Sequence, residues 1–123
     1  MYYSGEELAA IMKLGMAMVT ADGRTDEREF DVLKNELARF GVTPFQMIAI
    51  ANNAKEMDFN HAVQLVSNFN LEKKKYVASY LAVIMIADNE IDDKEVALWQ
   101  LLSLLCGLPE MDVKQAVDNM NNI

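Results

Sequence analysis

Ala21-Asp22-Gly23-Arg24-Thr25-Asp26-Glu27-Arg28-Glu29-Phe30 and Ala87-Asp88-Asn89-Glu90-Ile91-Asp92-Asp93-Lys94-Glu95-Val96 are two copies of one pattern, 66 residues apart. Each opens on an alanine and an aspartate that close an apolar helical stretch. Each continues through Gly or Asn, the residues that best tolerate a left-handed backbone. Each then offers an Asp followed three residues later by Glu, a helix-start signature. The register holds downstream: Leu33 falls on Trp99, Val42 on Leu108, Gly41 on Gly107, and Pro44 comes within one residue of Pro109. A repeat of this length marks a duplicated supersecondary unit.

Working outward, the remaining elements read as helices. Ser4 with Glu7 forms a capping box, and Leu8, Ile11, Met12, Met16 and Val19 recur at helical spacing, which predicts a first helix over 5–21. A second runs from the Asp26 box to Gly41 with Phe30, Leu33, Leu37 and Phe40 inward. Thr43, Pro44 and Gln46 start a third, ending near Met57. Phe59, Ala62, Val63, Val66 and Phe69 place a short fourth over 58–69. The fifth, over 71–88, is apolar on so many sides that it should be central and buried. The expected fold is all-α: a bundle of about seven helices, two pseudo-two-fold-related three-helix halves (about 5–57 and 71–122) joined by a short helix. The whole chain, 1–123, is expected to be one domain.

Composition narrows the function classes. The net charge is −8, and residues 22–31 and 88–95 contribute −3 and −4 of it. Two acidic foci argue against nucleic acid and for cations or basic protein surfaces. The longest apolar run, Tyr80 to Ala87, is far short of the roughly 20 residues that span a bilayer, and no signal-peptide pattern opens the chain. The single cysteine, Cys106, fits a reducing compartment, so a cytoplasmic location is expected. Lys73, Lys74 and Lys75 read as a solvated helix start. His61, the only histidine, reads as a surface residue, and with the only cysteine, Cys106, far from it in sequence a zinc site has almost nothing to build on. The nine methionines are expected to fill core gaps, an adaptable groove being the less favoured alternative.

The candidate site is the set Asp22, Asp26, Glu29, Asp88, Asp92 and Glu95. Asp26 and Asp92 with Glu29 and Glu95 are explicable as helix caps, which contribute typically about 1 kcal/mol each. Asp22 and Asp88 are not, because they fall at helix C-termini, where the dipole disfavours a carboxylate by a few tenths of a kcal/mol. Set against an EF-hand loop, Asp22, Gly23, Asp26 and Glu29 match positions 5, 6, 9 and 12, and Asp88, Asn89, Asp92 and Glu95 do the same. The first half of that loop is absent from both copies, so a true EF-hand is excluded. Any Ca²⁺, Mg²⁺ or Mn²⁺ is expected to be bound weakly, with water, or shared between the turns. Carboxylates at helix N-termini stay ionised and make poor general acids, so no enzyme is expected. The alternative is a protein-interaction module that uses an acidic face or an apolar groove, with no metal.

The doubled Ala-Asp motif in a helical context resembles the TerB-like family of tellurite-resistance and stress-associated proteins, over about residues 5 to 108. The resemblance implies an all-helical fold with pseudo-two-fold halves and an acidic, metal-associated surface at the six carboxylates named above. Asn89 stands where the family's second motif has glycine.

Overall fold

The computed structural model describes residues 3–21, 23, 27–87 and 91–121, with the backbone alone at residues 27, 29 and 30. Among these residues there are seven helices and no strand: α1 (Gly5–Thr20), α2 (Glu27–Arg39), α3 (Pro44–Glu56), α4 (Phe59–Ser67), α5 (Leu71–Ile86), α6 (Asp93–Cys106) and α7 (Val113–Asn121). The all-α expectation holds. The fourth and fifth helices are shorter than their apolar stripes suggest, because Asp58 and Asn70 act as N-caps and Asn68 and Ala87 as C-caps.

The helix ends follow local chemistry. Ser4 Oγ accepts from Glu7 N–H at 3.1 Å while Ser4 N–H donates to Glu7 Oε1 at 2.8 Å. Thr43 and Gln46 repeat the exchange at α3, behind Pro44. Gly41 and Gly107 are left-handed, at φ 77° and 65°. The next residue in each case reaches back into the helix, Val42 N–H to Leu37 O at 3.3 Å and Leu108 N–H to Ser103 O at 2.8 Å. These paired endings satisfy the last carbonyls of α2 and α6 in the same way.

The two halves share more than their caps. α1 and α5 both begin and end 66 residues apart, as do the starts of α2 and α6. α1 packs on α3 and α2 as α5 packs on α7 and α6; across the centre α1 meets α5 and α6 while α5 meets α2. That reciprocity is the pseudo-two-fold relation. α4 lies against α1 and α6, and one hydrophobic cluster draws side chains from all seven helices, from Leu14 through Leu33, Ile50, Val66 and Leu81 to Trp99 and Ala116.

α1 and α5 run side by side in the same direction. At their N-terminal ends Lys73 Nζ lies 3.3 Å from Glu7 Oε2, and the Tyr3 and Tyr76 rings are 5.9 Å apart. About two turns further on, Gly15 faces Tyr80 and Ile84. Contacts met in the same order along both helices require parallel axes. The C-terminal residues Ala21 and Ala87 therefore emerge at the same end of the bundle.

Lys73 departs from the solvated helix start expected of the lysine cluster. Its ammonium lies 4.8 Å from the centroid of Tyr3 and 5.5 Å from that of Phe69, and it bonds Glu7. Burial pushes the Glu7 carboxyl upward, but the bond from Ser4 N–H and the contact with Lys73 outweigh it and hold Glu7 below the usual glutamate range. His61 stays on the surface as expected, 2.7 Å from Glu6. Met18 and Met85 are fully buried, in line with core filling.

A cluster of aromatic rings surrounds that parallel pair. Tyr76 stacks on Tyr80 at 5.9 Å, meets Phe40 edge-on at 5.4 Å, and donates its hydroxyl to Glu36 Oε2 at 2.7 Å. Burial, and for Tyr76 and Tyr80 the Glu36 charge beside them, raises the phenol pKa of Tyr3, Tyr76 and Tyr80 above the ordinary value. Burial likewise pushes the Cys106 thiol up to about 11. A native state that keeps protons the unfolded chain has released loses stability as pH rises. These groups are therefore expected to leave stability level between about pH 6 and 8, after which it falls, gently as the unfolded thiol ionises and then by about 1 kcal/mol per buried tyrosine for each pH unit above about 10. Urea unfolding across that range reads the slope, and Tyr76→Phe should make it shallower.

Candidate functional site

α1 and α5 finish on the same backbone conformation. Ala21 and Ala87 are right-handed at φ −60° and −62°. Each donates its N–H three residues back, to Met18 O at 3.3 Å and Ile84 O at 3.2 Å. The lead into Asp22 thus matches the lead into Asp88. Gly23 is left-handed at φ 80°, as the tight-turn reading requires, and donates its N–H to Thr20 O at 3.0 Å. Asp22, Asp26, Asp88 and the Glu29 side chain lie outside the described residues, as does Asn89.

Asp92 and Glu95 are described, and they part company. Asp92 is the N-cap of α6, and its Oδ1 accepts from Lys94 N–H at 2.7 Å. This is a helix cap, as expected, made at the second helical position. Glu95 is not an exposed partner in a box: it is 1% exposed, on the inward face of the first turn of α6. The cap reading accounts for Asp92 and does not account for a buried carboxylate, whose effective desolvation cost is several kcal/mol.

The signal for this burial was present in the sequence. Glu95, Trp99, Leu102 and Cys106 recur at helical spacing, and the last three are all buried. Glu95 thus stands at the head of an apolar stripe. The 66-residue register places Glu29 at the same point of α2, ahead of Leu33, which is also buried.

Chemically, this end offers hard oxygen donors. It carries no thiolate, because Cys106 is buried at the far end of α6. Among the described residues no three His, Cys, Asp or Glu side chains converge on a point that would hold a metal ion, and only two of the six candidate carboxylates belong to that set.

The fold and this end together define a class: a duplicated, all-helical acidic domain whose two central helices run parallel and finish at Ala21 and Ala87, each followed in the sequence by an aspartate. The chain belongs to the TerB family, since the family model for tellurite resistance protein TerB matches residues 7–118. It is also similar to a protein of unknown function from Porphyromonas gingivalis W83, whose crystal structure shares 46% sequence identity and superposes with a TM-score of 0.88. That match covers 100% of this chain and 99% of the other. No curated protein matches the chain.

Proposed function

We propose that this TerB-family domain binds a hard divalent cation, Ca²⁺, Mg²⁺ or Mn²⁺, between its two acidic turns, in a stress-associated role of the tellurite-resistance type. The parallel packing of α1 and α5 carries the reading, because it directs Ala21 and Ala87, the residues before Asp22 and Asp88, to one end of the molecule. Each half-loop alone supplies too few oxygens for calcium, which takes six to eight. Two half-loops at one end supply a shared set: Asp22, Asp26 and Glu29 from one copy with Asp88, Asp92 and Glu95 from the other. The buried Glu95 gives such a site one carboxylate already stripped of water. The cation serves as a ligand that orders this end rather than as a catalyst, and the domain is non-enzymatic. No described helix is long and apolar enough to cross a membrane, and the site would work on cytoplasmic ion.

A cation that binds only the folded chain raises its stability by linkage, by about 2.7 kcal/mol at a free concentration a hundredfold above Kd. Millimolar Ca²⁺, Mg²⁺ or Mn²⁺ should therefore raise Tm by several degrees over EDTA-treated protein, and Asp22→Asn with Asp88→Asn should abolish the shift. An unmutated protein whose Tm ignores all three ions sinks the proposal.

A further inference from the structure

The duplication supplies an internal control for the surface of α6. Leu101, Leu104 and Leu105 are 50%, 80% and 48% exposed. Their counterparts 66 residues earlier are Asn35, Ala38 and Arg39, also exposed, on the matching face of α2. The same helix in the same fold is thus served there by polar or small residues. Folding does not call for three leucines on this face, so their chemistry belongs to something else.

The leucine face continues into a groove. Leu104 forms one wall of a cleft of 830 Å³ between the end of α6 and the segment leading to α7; Leu108, Pro109 and Met111 line it, with Trp99 beneath. The charged residues on its lining are both acidic, Glu110 and Asp112, on the side leading to α7, while the Lys74 ammonium stands beside Gly107 at the α6 end. Asp112 also caps α7, accepting from Gln115 N–H at 2.8 Å, which fixes that rim in place.

We propose that this face and groove dock an amphipathic helix of a partner protein, one that presents aliphatic side chains at i, i+3 and i+4 flanked by lysine or arginine. Leucines one turn apart beside a cleft fit the spacing of anchors on such a helix. Glu110 and Asp112 set the sign of its flanking charge, since complementary rims select partners and like charges reject them. A second copy of this chain is the poorer fit. Three leucines and the cleft expose on the order of half the ~800 Å² per partner that a stable dimer buries, and a second copy brings another −8 of net charge. The face lies at the opposite end of α6 from Glu95, so this proposal is independent of cation binding.

Trp99 is the chain's single tryptophan and lines the cleft, so its emission reports occupancy. The experiment titrates EDTA-treated protein with a synthetic leucine-lysine peptide of about 18 residues patterned as an amphipathic helix. The comparisons are a scrambled peptide of the same composition and a leucine-glutamate version. The patterned basic peptide should shift Trp99 emission and bind with a Kd on the order of 10 µM. Leu101→Gln with Leu104→Gln should weaken it by about tenfold or more, while Ala38→Gln on α2 should leave it unchanged. Both leucines are largely exposed, so circular dichroism should report intact helices in the double variant. Equal binding by the scrambled peptide or by the double variant overturns the proposal. So does a dimer in sedimentation that the double variant makes monomeric, which would assign the face to a second copy.

Discussion

Gly15→Val is expected to destabilise the domain by about 3 kcal/mol, the upper part of the range for overpacking a filled core. A Cβ at Gly15 would stand 2.5 Å from Leu33 Cδ2, 2.7 Å from the Tyr80 hydroxyl and 3.3 Å from Ile84 Cδ1. Leu33 can turn aside at its tip, but the Tyr80 ring is 3% exposed and stacked on Tyr76, so it has no vacant direction. Gly15→Ala meets the same hydroxyl and recovers at most about 1 kcal/mol of helix propensity, which leaves a net loss of about 1 kcal/mol. Urea unfolding should show the ranking wild type, Ala, Val, with Tm lower by roughly 10 °C for valine. Gly5, whose Cβ would meet nothing within 4 Å, is the control: Gly5→Ala should cost nothing. A valine variant within about 0.5 kcal/mol of wild type, the range of an ordinary surface change, would contradict the close approach of α1 and α5.

Gly15 also shows where the two halves cease to be copies. Its counterpart 66 residues on is Leu81, fully buried. At the crossing of two pseudo-equivalent helices one side gives up its side chain so that the other's can enter. A leucine at position 15, as a strict repeat would require, would meet Tyr80 and Ile84 and push the axes apart. The asymmetry keeps α1 against α5 and so keeps Ala21 and Ala87 at one end.

What the sequence made legible was local. Ser4, Thr43, Gly41 and Gly107 announce helix ends because a cap is made within four residues of itself. The repeat was equally legible, since a 66-residue register needs only the chain. The parallel course of α1 and α5 was not, because it rests on contacts such as Lys73 with Glu7 and Gly15 with Tyr80 that no periodicity encodes. Lys73 read as a solvated charge because a lysine's stem packs on rings only once tertiary structure brings Tyr3 and Phe69 beneath it. In the apolar run around Cys106, Leu102 and Cys106 point inward while Leu101, Leu104 and Leu105 face out. A helix rich in leucine on several sides hides which side is surplus. For the candidate site, the sequence directed attention to Asp22 and Asp88 and assigned Glu95 to a cap. Its place on the Trp99, Leu102, Cys106 stripe identified it as a core position all along.

Glu95→Gln is where the cation reading meets its sharpest test, because the two roles open to a buried carboxylate predict opposite effects on the cation shift. If Glu95 were retained for the fold alone, losing its charge would disrupt the contacts that hold it, at about 3–5 kcal/mol, and any cation effect would persist. If it holds an ion, glutamine removes one of the charged oxygen donors that bind it. The expected result is therefore a variant whose cation-dependent rise in Tm is lost or reduced to a small fraction. Glu29→Gln, at the equivalent point of α2, should behave in the same direction. Parallel melts with and without millimolar Ca²⁺, Mg²⁺ or Mn²⁺ separate the outcomes. A Glu95→Gln protein that is several kcal/mol weaker in EDTA and still gains the full cation shift would remove Glu95 from the site and return any ion to the aspartates of the two turns.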